Sequence, residues 1–110
     1  MKLSDQEVQV LFGFPIKRTF TFTENSGAIA ASDREILYYI ANFLRERGEY
    51  AVEIVGFSDP AKENPKISLD RANNVKNILQ NGGLENYKIH RTYENSEVAA
   101  MKVEITFYRI

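Results

Sequence analysis

Residues 54–75 read IVGFSDPAKENPKISLDRANNV. The run 50–57 is rich in β-forming residues with apolar side chains on both faces, which is typical of an interior strand. A polar turn follows, and then Asn64 suits a helix cap while Pro65 suits the first helical position. Ser68 offers a competing cap. The stretch therefore predicts a strand, a turn and a helix in succession.

Two amphipathic helices are predicted. The helix after the turn is expected to end at Gly82 and Gly83, because glycine suits a helix stop. Its apolar stripe consists of Leu69, Ala72, Val75, Ile78 and Leu79. An earlier helix is expected to begin at Ser32, where Ser32 and Glu35 have the spacing of a capping box. Apolar residues then recur at helical spacing over 36–44, so each helix has one face to bury.

Strand patterns at 17–23, 87–93 and 101–110 complete the order of elements. This β-α-β-α-β-β order predicts an α+β fold, a two-layer α/β sandwich with a mixed sheet and two helices on one face. Apolar residues also alternate over 8–14, which predicts an extra N-terminal strand or hairpin.

The composition is that of one globular domain. The 110 residues are 44% hydrophobic and 26% charged, so we expect a single domain over 1–110, with its core at about 20–108 and an N-terminal extension over 1–19. A net charge of −1 argues against nucleic acid as a partner. Because the chain has no cysteine and one histidine, we expect no metal site and no cofactor. The apolar run 36–44 is far shorter than the about 20 residues that span a bilayer, so we expect no membrane insertion by this domain.

Asp59 and Arg71 are candidate binding residues. Asp59 comes just after the interior strand and Arg71 lies one to two turns into the next helix, so a compact turn can bring both to one edge of the sheet. If both open toward solvent, the carboxylate can accept from an ammonium and the guanidinium can bind a carboxylate, which suits a zwitterionic ligand. An internal salt bridge or two solvated side chains would explain the same spacing without a ligand.

The stretch 54–75 resembles the signature of OmpA-like peptidoglycan-binding domains. In that signature a strand ends in Gly, an aromatic residue, Thr or Ser, and Asp; Asn, two residues, Leu-Ser, two residues, Arg-Ala, two residues and Val follow. The positions that match in register are Asn64, Ser68, Arg71, Ala72 and Val75, while Ile67 replaces the leucine. The resemblance covers roughly residues 20–108, and the predicted order of elements fits the family.

The resemblance implies a non-enzymatic domain that binds peptidoglycan and anchors an outer-membrane or periplasmic protein to the cell wall. Family members bind the diaminopimelate of the stem peptide, whose free end carries an ammonium and a carboxylate. By resemblance, Asp59 accepts from the ammonium, Arg71 binds the carboxylate, and Asn64 and the backbone near Ser58 add hydrogen bonds. The expected location is the periplasm, in association with the outer membrane.

Several positions depart from the family pattern. Phe57 stands where the family often has His, and the segment 59–64 is shorter than expected and lacks the usual Gly. The segment 94–96 lacks the Gly of a family Gly-Glu-Ser stretch, and 101–102 holds Met-Lys where the family has paired arginines. The alternative is therefore a structural or protein-interaction module of the same fold that has lost peptidoglycan binding.

Other residues support weaker interpretations. His90, Ser58 and Asp59 are the components of a catalytic triad, but no nucleophile elbow or oxyanion-hole motif accompanies them. Glu63 and Asp70 are an acid–base pair on paper, although acidic residues in polar turns are usually solvated. Aromatic strand residues suggest an RNA-binding sheet, but the charge and the missing RNP pattern favour core packing. Size and α/β alternation alone suggest a hydrolase of acylphosphatase type.

Overall fold

The computed structural model describes residues 17–46, 50–94 and 99–109. Within these ranges the elements are β1 (Lys17–Thr21), α1 (Ala31–Arg45), β2 (Tyr50–Phe57), α2 (Lys66–Asn81), β3 (Ile89–Glu94) and β4 (Lys102–Arg109), with a 3-10 turn at Asn86–Lys88 before β3. The predicted β-α-β-α-β-β order is confirmed. The extra strand predicted at 8–14 lies outside the described residues.

The four strands form one mixed sheet in the order β1-β4-β2-β3. β4 is antiparallel to both β1 and β2, whereas β2 and β3 are parallel. The interior position predicted for β2 is confirmed. Because β1 and β2 both run against β4, they end at the same edge of the sheet, where Thr21 pairs with Lys102 and Gly56 pairs with Val103.

One face of the sheet and both helices enclose a single hydrophobic core. The sheet contributes, among others, Val52, Ile54, Val103 and Ile105, each fully buried. The helices contribute Leu37, Ile40, Phe43, Leu44, Ala72, Val75, Ile78 and Leu79. Full burial of each large aliphatic side chain contributes about 1.5–3 kcal/mol, so this shared face is what holds both helices on the sheet.

The capping box predicted for α1 is wrong. The helix begins at Ala31 with Ala30 in the cap position, and no side chain caps it. The amide of Arg34 donates to the carbonyl of Ala30 at 2.9 Å, so Ser32 already lies inside the first turn. The segment before the helix is held by hydrogen bonds from Arg71 and Asn74 of α2, and these set where the helix begins. Such tertiary contacts cannot be predicted from a local sequence motif.

The ends of α2 follow the sequence closely. The Oδ1 of Asn64 accepts from the amide of Lys66 at 2.9 Å, which satisfies one free donor of the first turn. At the other end Gly83 has φ +98°, a conformation that suits glycine, and Leu84 N–H donates to Leu79 C=O at 3.1 Å in a Schellman arrangement. The buried face of α2 is rotated relative to the predicted apolar stripe: Ser68 and Arg71 are buried, whereas Leu69 is only half-buried.

Gly56 is the point where the strand β2 and the helix α2 approach most tightly. A Cβ added to Gly56 would lie 2.0 Å from the carbonyl oxygen of Ser68 and 3.2 Å from the Cβ of Ala72. The Gly56→Ala variant must push the helix backbone away from the sheet, so we expect a loss of about 1–3 kcal/mol in the free energy of unfolding, measured by urea denaturation. Glu53→Ala, an exposed change in the same strand, should cost less than about 0.5 kcal/mol. Equal stability of Gly56→Ala and the parent chain would contradict this packing.

Candidate functional site

The candidate site lies at the sheet edge where β1 and β2 end and α2 begins. Three segments meet there: the loop 22–30 after β1, the turn 58–65 after β2, and the first two turns of α2. Each segment leaves backbone groups that the sheet and helix do not use. The site is built from these groups and from two buried charged side chains.

Arg71 lies at the centre of the site and is fully buried. Its Nε donates to the Ser26 carbonyl at 2.9 Å, and its Nη1 donates to the Phe57 carbonyl at 2.9 Å and to Glu63 Oε1 at 2.9 Å. Its Nη2 donates to the Thr23 carbonyl at 3.1 Å and to Glu63 Oε2. A guanidinium has five N–H groups, and all five are used. This complete set of partners is what permits an arginine to be buried.

The partner of Arg71 is Glu63, a buried carboxylate in the turn between β2 and α2. Glu63 Oε1 accepts from the Asp59 amide at 2.8 Å as well as from Arg71. Glu63 Oε2 accepts from the Asn25 amide at 2.7 Å as well as from Arg71. Each oxygen thus accepts two hydrogen bonds, which fills the acceptor capacity of a carboxylate. Four donors from three segments form a complete carboxylate site around Glu63.

The electrostatics of this site keep Glu63 ionised. The side-chain hydrogen bonds from Arg71 lower the pKa of Glu63 from 4.5 to about 2, assisted by the amides of Asp59 and Asn25, while burial opposes the shift. Asn25 reaches this position with φ 57°, in the left-handed region that asparagine tolerates. The loop after β1 is therefore held in place by the same carboxylate that pairs with Arg71.

The aromatic ring of Phe22 covers one side of Arg71. The Cζ atom of Arg71 lies 5.3 Å from the centroid of that ring, within range of a cation–π interaction. Phe22 also packs against the hydrophobic core. The guanidinium thus has the aromatic ring of Phe22 on one side and is surrounded by carbonyl and carboxylate oxygens that accept its hydrogen bonds.

The other predicted site residues surround the buried pair. Asp59 is 8% exposed, and its Oδ1 accepts from the Ala61 amide at 3.0 Å. Ser58 is fully buried, and its Oγ has no hydrogen-bond partner among the described residues. Asn64 is exposed and uses its Oδ1 on the first turn of α2.

The structure brings Asp59, Arg71, Asn64 and Ser58 to one edge of the sheet. The sequence led us to expect that Arg71 opens toward solvent, and this is wrong. Glu63 and three backbone carbonyls enclose the guanidinium, which is fully buried. Asp59 and Arg71 form no ion pair with each other in the described part of the chain; both contact Glu63, Asp59 through its amide.

Glu63 is the residue of this site that the sequence interpretation missed. As a member of a polar turn it was expected to be solvated, and it is instead 6% exposed. The available signal was its place in the shortened turn, just before Asn64 and eight residues before Arg71. Asn25 carried no signal, because it contributes only a backbone amide.

An open cleft lies between the loop 22–30 and α2. Its volume is about 290 Å³, and its lining includes the apolar residues Ile29 and Ile78 and the polar residues Arg34, Asn74 and Asn77. The Nδ2 of Asn74 donates to the Gly27 carbonyl at 2.7 Å, which ties the cleft to the loop that holds Arg71.

No group of three or more His, Asp or Glu side chains in the described residues is arranged to hold a metal ion. No helix in the described ranges combines the length and apolar character needed to cross a bilayer.

A model of the OmpA family matches residues 21–104 of the chain, which include every element of the fold from the end of β1 into β4. The match also includes the whole candidate site, from the loop 22–30 to the first turns of α2. No curated protein sequence matches the chain.

Solved structures with the same fold share few of its residues. The C-terminal domain of Helicobacter pylori MotB is 19% identical, with a TM-score of 0.70 over 83% of this chain and 84% of that one. The peptidoglycan-associated lipoprotein from Burkholderia pseudomallei is 15% identical, with a TM-score of 0.72 over 83% of this chain and 90% of that one. The OmpA-like domain of FopA1 from Francisella tularensis subsp. tularensis SCHU S4 is 15% identical, with a TM-score of 0.68 over 86% and 75%. At these identities the likeness establishes the fold.

Proposed function

The chain belongs to the OmpA family, and from that membership we propose that it is a non-enzymatic domain that binds peptidoglycan non-covalently. The ligand is the diaminopimelate of the stem peptide, and binding anchors the protein that carries this domain to the cell wall. No nucleic acid and no cofactor enters this role.

The carboxylate site around Arg71 supports this proposal. Two N–H groups of Arg71 and the amides of Asn25 and Asp59 converge on the carboxylate of Glu63, and Asp59 and Arg71 are positions of the family motif. Asp59 uses one carboxylate oxygen on the Ala61 amide, which leaves the second for an ammonium. An amino-acid end group offers a carboxylate and an ammonium together, so a site with both complements suits such a ligand.

The proposed location is the periplasm, in association with the outer membrane. Two structures with the same fold support a cell-envelope role: one is described as the periplasmic domain of MotB and one as a peptidoglycan-associated lipoprotein. A domain that anchors a protein to the wall has to face the wall, which requires this compartment.

A second function is favoured by one observation: every N–H of Arg71 and every acceptor position of Glu63 is already used within the chain. A domain in this state is a structural or protein-interaction module that keeps the fold without holding the stem peptide. The two functions differ in whether a ligand carboxylate replaces that of Glu63.

Co-sedimentation with purified peptidoglycan sacculi tests the proposal. We expect the parent domain to pellet with the sacculi and Asp59→Asn to weaken binding about tenfold or more, because hydrogen bonds to a charged group contribute about 1.5–3 kcal/mol. Asparagine can still accept from the Ala61 amide, so the turn survives the change. Arg71 variants are unsuitable here, because removing a buried charge partner unfolds the site.

Glu53→Gln is the matched control, since it removes a carboxylate of the same sheet on an exposed position away from the site. It should bind as the parent does. Failure of the parent domain to pellet would remove the peptidoglycan role and leave the structural module. Equal binding by Asp59→Asn and the parent would show that the Asp59 carboxylate does not contact the ligand.

A further inference from the structure

We propose that Glu63 is a built-in ligand: its carboxylate closes a preformed carboxylate site, and that site takes up a free carboxylate when Glu63 is removed. The inference rests on the proposed function only for the natural competitor, which is the carboxylate of the stem peptide. The site itself follows from the contacts of the described residues.

Most of the contacts that position the donors of the site do not involve Glu63. Arg71 is held by three backbone carbonyls, those of Thr23, Ser26 and Phe57, and none of them depends on Glu63. The two remaining donors are the backbone amides of Asn25 and Asp59. The loop that carries Asn25 is also bonded to Arg71 and Asn74 through its own carbonyls. Removal of the Glu63 carboxylate therefore leaves four N–H groups pointing at one vacated position.

The element that carries Glu63 is a short, exposed turn. Pro60, Ala61 and Lys62 are exposed, and the turn is closed by local bonds to Asp59. Outward movement of residues 60–63 leaves the Asp59 amide at the end of β2, and it breaks no strand pairing of β2 and no core contact of α2. The carboxylate is thus the part of the site that can be exchanged, and the arginine is the part that cannot.

Competition between an internal and an external carboxylate sets the affinity for the external one. A ligand that needs the displaced state binds with an affinity reduced by the fraction of molecules in that state. Glu63 therefore acts as an autoinhibitory contact: any influence that draws the Glu63 carboxylate away from Arg71 raises the affinity for the stem peptide.

Chemical rescue tests this proposal. The Glu63→Ala variant removes a fragment the size of acetate, so acetate fits the vacated space. We expect about 0.1 M sodium acetate to raise the melting temperature of Glu63→Ala by about 4–8 °C over the same concentration of sodium chloride, because a ligand that binds only the folded state stabilises it. The amide signals of Asn25 and Asp59 should shift as acetate is added.

Three controls locate the effect. The parent chain should show no acetate-dependent rise, because Glu63 fills the site. Glu63→Gln should show none either, since the amide occupies the same volume. Glu104→Ala removes a carboxylate paired with the partly exposed side chains of Lys17 and Lys102, and this variant should not respond to acetate.

A folded Glu63→Ala variant that is indifferent to acetate overturns the proposal, and so does one that stays unfolded in both salts, since a preformed site would be restored by acetate. Sacculus binding separates this inference from the proposed function. An acetate response without binding of any variant to sacculi supports the built-in ligand and removes the peptidoglycan role. Binding of the parent to sacculi without an acetate response does the reverse.

Discussion

The Arg71→Met variant is expected to lose about 3–5 kcal/mol of unfolding free energy, a large part of what a domain of this size possesses. The change leaves the Glu63 carboxylate buried with two amide donors and no countercharge, and it leaves the carbonyls of Thr23, Ser26 and Phe57 without their donor. Methionine fills the volume of the arginine stem, so the loss reflects the charge and the hydrogen bonds rather than a cavity.

Urea denaturation of the parent, Arg71→Met and Arg71→Lys measures this effect. Lysine keeps the charge, but its single ammonium cannot reach acceptors on every side as the guanidinium does, so we expect an intermediate loss. Arg34→Met serves as the control, because Arg34 is exposed on α1, and it should change stability by less than about 0.5 kcal/mol. A midpoint for Arg71→Met equal to that of Arg34→Met would show that the buried pair contributes nothing.

The free energy of unfolding is expected to fall by about 3 kcal/mol as the pH drops from 5 to 2, owing to Glu63 alone. Its pKa is about 2 in the folded chain against 4.5 for an unperturbed glutamate. A depressed folded pKa means that the unfolded chain takes up the proton first, so this stability is complete above pH 4.5 and is lost as the pH falls through the folded pKa.

The comparison with Glu63→Gln isolates this contribution. Glu104 also has a lowered pKa, mainly because Lys17 donates to it and to a smaller extent because Lys102 does. Its protonation therefore also lowers the free energy of unfolding as the pH falls. Glu104 is present in both proteins, and only the parent has the Glu63 carboxylate. We expect urea denaturation at a series of pH values to give a smaller fall for Glu63→Gln. Parallel curves for the two proteins would contradict the assignment.

The fold was predictable wherever local pattern and tertiary packing agree. The apolar stripe of α1, the interior position of β2 and the glycine stop after α2 all follow from spacing and from backbone chemistry. The start of α1 was not predictable, because hydrogen bonds from α2 to the loop before it set the first helical residue. Leu69 was expected to be buried and Arg71 to be exposed, but Arg71 is buried and Leu69 is half-buried. The reason is the same: the loop after β1 covers the side of α2 that carries Arg71.

The candidate site was predictable in its location and incomplete in its contents. Asp59 and Arg71 could be assigned to one sheet edge because a strand end and a helix start must meet there. The partner of Arg71 could not be chosen from spacing, since Asp59 and Glu63 lie in the same short turn at similar reach. Glu63 is the partner of Arg71 because its carboxylate also accepts hydrogen bonds from two backbone amides. One of these, from Asn25, forms only once the loop after β1 has folded over Glu63.

The direction of the strands has a mechanical consequence. β1 begins beside the end of β4, where Lys17 pairs with Thr106, whereas Asp59 lies at the opposite end of the sheet, past the pairing of Gly56 with Val103. A pull between a tether at the first end and a ligand at the second runs along the strands. Their hydrogen bonds, which lie perpendicular to the strands, are then loaded in shear and must fail together. A pull that separates β1 from β4 at Lys17 would instead peel those bonds one at a time, so resistance to force depends on which points are pulled.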